Sequence, residues 1–295
     1  MLHRPEAMNR ALWVFCALAT ISGGMGGFWL RQPNVAPWMA PFYTTRNLVP
    51  AAAYALALFF CFTVKADYPA DSRMRFAWSL MQASCAFAVF RYLIDWIAVR
   101  WKDSIDPDLI SLRQIPIAVT LILLTGSLVA MWTSFTAIGL GTRFRKLDLL
   151  GFAATAACVP FVFSLWEGMA DSRSSYAFIR QIQSASPILL AAPALVALAL
   201  HRISHEMGEG TLTYSLRLLA VSLVLRLASL WIGSSAVGRE PYYSALTLAL
   251  NSASAWIFVQ AIFKRWCLTV QASNLAERYR RDPNHEIAEL SRSLR

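Results

Sequence analysis

Long apolar stretches alternate with short polar segments along nearly the whole chain. Six of these stretches contain no Asp, Glu, Lys, Arg or His: residues 11–30, 47–64, 114–142, 149–166, 181–200 and 241–263. Each approaches or exceeds the roughly 18 residues that cross a hydrocarbon core of about 30 Å. The runs are continuous, whereas the strands of a membrane barrel are about ten residues long and alternate in polarity. The pattern therefore indicates membrane-spanning α-helices.

Two further stretches are apolar except for isolated charges. Residues 76–99 contain Arg91 and Asp95, and residues 212–233 contain Arg217 and Arg226. With them, the sequence predicts an all-α polytopic membrane protein of eight transmembrane helices. The predicted spans are 11–30, 46–64, 76–99, 115–140, 149–167, 187–201, 213–233 and 243–263.

Landmarks shared by the two halves of the chain suggest an internal repeat. Pro50 and Pro187 each open a predicted helix at an offset of 137 residues, and Arg91 and Arg226 match at an offset of 135. Chance alignment of apolar segments with similar composition is the alternative. A true repeat would give two four-helix units in parallel orientation, with ligands bound at the seam between them.

The expected organisation follows from this repeat. Residues 1–147 form an N-terminal four-helix half, residues 148–265 form a C-terminal four-helix half, and residues 266–295 form a cytoplasmic basic tail. That tail resembles, in architecture only, the start of the signalling helices that follow multi-helix sensor domains of bacterial kinases and cyclases.

Composition and charge agree with membrane insertion and add an orientation. The chain is 57% hydrophobic and 15% charged, against about 45–50% and about 25% in soluble domains. Counting loops from a cytoplasmic N-terminus places 17 of the 27 Lys and Arg residues inside, which favours two cytoplasmic termini in a bacterial inner membrane. The net charge of +10 is explained by membrane lipid as a partner and requires no nucleic acid.

Arg91 and Arg226 are the sharpest candidates for a site, because a charge inside a span is costly and often functional. Asp95 follows Arg91 by four residues, so the two can pair on one helical face. Glu167 is the nearest candidate partner for Arg226 by depth. Together, Arg91, Asp95, Glu167 and Arg226 predict an anion-binding seam. The alternative is that both arginines extend to the outer headgroups or form packing ion pairs.

Two other features have a structural and a functional interpretation. The Ser-Gly-Gly-Met-Gly-Gly run of residues 22–27 favours close helix packing, with a broken helix as the alternative. His201 and His205 are four residues apart and share a helical face that suits a metal ligand pair. A solvated helix end is the alternative, and we expect no metal.

Several chemistries are excluded by residue placement. All four lysines lie outside the helix centres, so none can form a retinal Schiff base. No histidine lies in the interior of a predicted span, so bis-histidine haem is excluded as well. We expect no cofactor other than bound lipid.

The remaining interpretations are non-enzymatic. The first is a sensory module or an accessory or structural subunit of a membrane complex, partnered by other membrane subunits or by further copies of itself. The alternative is a facilitator or transporter of a small anionic or amphiphilic solute through the seam between the halves.

Overall fold

A computed structural model describes residues 5–29, 40–100, 114–140, 176–208, 210–234 and 241–281 of the chain. These residues form an all-α structure. Its seven helices within the described ranges are α1 (Pro5–Trp29), α2 (Ala40–Ala66), α3 (Arg73–Arg100), α4 (Gln114–Thr136), α5 (Tyr176–Glu206), α6 (Thr211–Ser234) and α7 (Pro241–Arg281).

Six of these helices are long and apolar enough to cross a membrane. The candidate spans are Glu6–Phe28, Asn47–Ala66, Arg73–Ile97, Ile115–Thr136, Thr211–Leu230 and Pro241–Asn274. Helix α5 contributes a shorter apolar segment, Leu189–Ser204. The predicted span 149–167 lies outside the described residues, so the count of eight stays a prediction.

The two prolines that were expected to open helices lie inside them instead. Helix α2 begins ten residues before Pro50, and α5 begins eleven residues before Pro187. Proline removes one backbone hydrogen bond, but packed apolar helices tolerate it because neighbouring groups satisfy the freed carbonyl. Pro50 is fully buried, so the helix around it is held by its packing. Both helices therefore begin earlier than predicted, whereas their apolar segments, Asn47–Ala66 and Leu189–Ser204, start close to the predicted residues 46 and 187.

Helices α2 to α7 form a closed circuit in which each helix contacts the next and α7 returns to α2. Helix α1 packs mainly on α7 and more weakly on α2. Aromatic contacts close the circuit, since the Phe60 ring of α2 lies 5.4 Å from the Phe263 ring and 5.3 Å from the Trp266 ring of α7. The circuit has an interior that side chains of non-neighbouring helices can share.

The glycine run of residues 22–27 forms the contact between α1 and α7. A Cβ built at Gly27 would lie 2.4 Å from the carbonyl oxygen of Ser244, and one built at Gly23 would lie 2.8 Å from that of Leu248. Only glycine permits backbones to approach this closely. The close-packing interpretation is confirmed, and the helix continues unbroken through the run.

Serine hydroxyls tie α6 to α7 at intervals of seven residues. Ser215, Ser222 and Ser229 donate to the carbonyl oxygens of Ala261, Ser254 and Thr247, at 2.7, 2.8 and 2.8 Å. A seven-residue repeat keeps one face of each helix towards its partner, as in left-handed helical packing. The α3–α4 pair uses the same device, with Ser84 donating to the Thr120 carbonyl and Ser127 to the Ala77 carbonyl.

Helix α7 is much longer than the span predicted for it. It runs without interruption for 41 residues, about 60 Å, or twice the thickness of a hydrocarbon core. The prediction ended this helix at residue 263, where the basic residues Lys264 and Arg265 follow. These side chains lie over the rings of Tyr214 and Tyr68, and the helix continues past them to Arg281, since Lys and Arg are good helix formers.

Candidate functional site

Arg226 joins three helices of the bundle. From α6, its guanidinium donates to the hydroxyl of Tyr92 on α3 at 2.7 Å and to the side-chain oxygen of Asn251 on α7. Helices α3 and α6 are not neighbours in the circuit, so the bond to Tyr92 crosses its interior. The sequence singled out Arg226, and the structure places it inside the bundle with two neutral partners.

Tyr92 lies at the centre of this cluster. It is 2% exposed, its ring stacks on Tyr54 of α2 at 6.0 Å, and its hydroxyl lies 3.5 Å from the Asn251 oxygen. The Arg91 guanidinium lies 4.8 Å above the Tyr92 ring and the Arg226 guanidinium lies 5.9 Å from the same ring centre. Both arginines therefore meet the aromatic face that attracts cations.

Asp95 provides the negative charge of the cluster. Its carboxylate lies 3.7 Å from Nε of Arg91, with the two side chains 16% and 21% exposed, which confirms the pairing predicted from the four-residue spacing. Arg91, Asp95 and Arg226 together carry one net positive charge. We refer to Arg91, Tyr92, Asp95, Arg226 and Asn251 as the arginine cluster.

The helix lengths give the depth of the arginine cluster. Asn251 lies ten residues from the start of α7, about 15 Å along the axis. It is 14 residues from Arg265, about 21 Å in the other direction. The cluster is thus well inside the apolar part of the bundle, nearer to the end at which α7 begins.

Two predicted residues lie where the structure does not describe their side chains: Glu167 and His205. The pairing of Glu167 with Arg226 thus stays a prediction. His201 lies on α5, and Glu206 forms an ion pair with Arg202 at 3.8 Å. Among the described residues, no group of three or more His, Cys, Asp or Glu side chains is close enough to hold a metal ion.

Tyr92 and Asn251 are the members of the cluster that sequence reasoning missed. Asn251 is a strongly polar residue in the charge-free segment 241–263. This contrast was the sequence feature that could have marked it as a site residue. A neutral amide or phenol costs far less to bury than a charge, so neither residue stood out. The serines at 215, 222 and 229 carried a second signal, because a seven-residue spacing marks a helix contact face.

Scans of protein-family models, of curated proteins and of solved structures found no match to this chain. Its function has to be inferred from its own geometry. Within the part of the chain that the structure describes, two guanidiniums converge on one buried aromatic ring beside the carboxylate of Asp95 and form an electropositive site. Planar guanidiniums offer paired N–H donors that fit a carboxylate or phosphate group.

Proposed function

We propose that this chain is a non-enzymatic integral membrane protein that acts as a sensory module, in which the arginine cluster receives a small anion. We further propose eight spans in two repeated halves, with both termini in the cytoplasm of a bacterial inner membrane. The observation that carries the sensory role is α7. This single helix contributes Asn251 to the cluster and then continues 30 residues beyond it to Arg281.

The charge of the cluster supports an anionic ligand. Two guanidiniums share the face of Tyr92 and one carboxylate lies beside them. In a low-dielectric interior, an uncompensated positive charge is costly. A carboxylate or phosphate group placed between the arginines would neutralise that charge and use guanidinium donors that Tyr92 and Asn251 do not occupy.

Helix α7 offers a direct route from this site to the cytoplasmic side. Residues 271–274 are exposed, so this part of the helix projects beyond its packing partners. Since α7 is continuous, a ligand that changes the Arg226–Asn251 bond would shift or rotate the whole rod, as helices do in switching proteins. The extended end of α7 would present that motion to a partner subunit or to a second copy of the chain.

The ligand is tested with matched arginine variants. Acetate, succinate, phosphate and sulfate are added to the purified protein in detergent, and the unfolding temperature is measured. Arg226→Leu should abolish the stabilisation that the most effective anion gives to the wild type. Arg217→Leu is the control, because Arg217 lies nine residues earlier on α6 and is exposed. Equal responses of the two variants would contradict an anion site at Arg226.

The sensory role is tested by a distance measurement along α7. Spin labels at the exposed positions Ala70 and Asn274 report the position of the α7 extension relative to the α2–α3 turn. We expect the distance distribution to shift when the most stabilising anion is added. An unchanged distribution, together with a stoichiometric copurifying protein, would favour an accessory or structural subunit of a membrane complex instead.

One observation favours a second candidate function, a facilitator or transporter of a small anionic or amphiphilic solute. The Arg226–Tyr92 bond crosses the interior of the helix circuit, where a translocation path between the two halves would run. Flux of the stabilising anion into proteoliposomes would support this alternative. Flux that Arg226→Leu leaves unchanged would place the path elsewhere.

A further inference from the structure

An apolar cleft lies between α3, α4, α6 and α7, at the end of the bundle opposite to the arginine cluster. The cleft has a volume of about 30 Å³ and opens to the surface of the bundle. The walls are mostly apolar and include Met74, Trp78, Met81, Met131 and Phe135. Methionine side chains are flexible and adapt to irregular apolar ligands.

One polar group in the wall of this cleft points to a ligand. Trp78 is 6% exposed, and its buried indole Nε1–H has no hydrogen-bond partner in the described structure. Buried indole N–H groups usually find an acceptor. The hydroxyl of Ser215 already donates to the Ala261 carbonyl, which leaves the Trp78 N–H as a donor for a bound molecule.

Arg265 lies in the wall of the cleft, and Arg75 follows the wall residue Met74 on α3. Arg265 donates to the Tyr68 hydroxyl, while Arg75 donates to the Tyr68 carbonyl at 3.1 Å. Each guanidinium has five N–H donors, so both retain donors for an anion. Asp67 and Asp71, which are close by in sequence, are exposed and form no ion pair with any described residue, so solvent screens their effect on the two guanidiniums.

We infer that this cleft is a binding site for an anionic phospholipid, with the phosphate at Arg265 and Arg75 and part of one acyl chain between the methionines. Charge complementarity favours this occupant, because basic pockets between membrane helices bind anionic headgroups. The indole N–H of Trp78 would donate to an ester oxygen of the lipid. The inference rests on the proposed membrane insertion but is independent of the sensory role and of the arginine cluster.

The test compares two adjacent basic residues. Protein in detergent is incubated with phosphatidylglycerol or with phosphatidylcholine of identical chains, and retained lipid is counted by native mass spectrometry. Wild type should retain phosphatidylglycerol preferentially, and Arg265→Gln should reduce that retention about fivefold, the effect of losing one basic contact to a headgroup. Lys264→Gln is the control, because it removes the same charge from a residue that is not part of the cleft wall. The Lys264 ammonium lies 5.7 Å from the centre of the Tyr214 ring.

Three results would overturn the inference: equal retention of both lipids by wild type, equal loss in Arg265→Gln and Lys264→Gln, or loss of retained phosphatidylglycerol in millimolar inorganic phosphate. The second would show only general attraction to basic residues, and the third only a phosphate site. If Arg265→Gln does not fold, Arg75→Gln removes the other guanidinium held on Tyr68 and must show the same loss. None of these results depends on whether an anion binds at Arg226.

Discussion

The contact between α1 and α7 gives the sharpest test of the fold through the substitution Gly27→Ala. A Cβ at residue 27 would lie 2.4 Å from the carbonyl oxygen of Ser244 and 2.7 Å from Cα of Ala245. Both atoms belong to the backbone of α7. They cannot rotate away as a side chain would, so the helices themselves have to separate.

The size of the effect follows from that geometry. Ordinary contacts of a Cβ begin at 3.4 Å, so the new methyl group is 1.0 Å too close to the Ser244 oxygen. Overpacking of this kind costs about 1–3 kcal/mol. Alanine has a higher helix propensity than glycine, and this difference offsets up to about 1 kcal/mol of the overpacking cost. We therefore expect Gly27→Ala to lower the free energy of unfolding by about 1–2 kcal/mol.

Gly24→Ala is the matched control on the same helix. Its Cβ would meet the Ala249 Cβ at 3.6 Å and the Ala245 oxygen at 3.9 Å, both ordinary contacts. The added methyl group fills space without displacing α7. We expect this variant to be as stable as wild type or slightly more stable, because the gain in helix propensity is unopposed.

Thermal unfolding is measured in one detergent. The readout is the fraction of protein that remains monodisperse on gel filtration after heating. The midpoint should fall for Gly27→Ala and should not fall for Gly24→Ala. Equal midpoints for the two variants would refute the reasoning, because residue 27 would then not face the backbone of α7.

Three further predictions concern hydrogen bonding, charge and orientation. Ser222→Ala removes one interhelical hydrogen bond and should cost about 0.6 kcal/mol in detergent unfolding; a cost near zero would mean that the bond does not form. Asp95→Asn should destabilise the protein by less than the about 3–5 kcal/mol of a fully buried broken pair, because both partners are partly exposed. A reporter fused after Lys102 should read external and one after Arg295 cytoplasmic; a cytoplasmic signal at Lys102 would reverse the proposed orientation.

Three of the five members of the arginine cluster could be found from sequence, for a physical reason. Arg91 and Arg226 stand out because a charge in an apolar segment is costly whatever the segment packs against. The Arg91–Asp95 pair follows from their four-residue spacing on one helix. Tyr92 and Asn251 could not be found in this way. Tyr92 meets Arg226 across 134 residues of sequence, and only the packing of α3 against the interior brings them together.

The sequence by itself determined that the chain is helical and which segments are apolar enough to span a membrane, because each segment enters lipid according to its own length and composition. Only the tertiary structure decided which side of each helix faces protein. On α2, Phe60 is 1% exposed, whereas Phe59 and Phe62 are each 58% exposed. In water such a difference would appear as an amphipathic pattern. In lipid both sides of the helix can be equally apolar, so close packing and interhelical hydrogen bonds select the buried side.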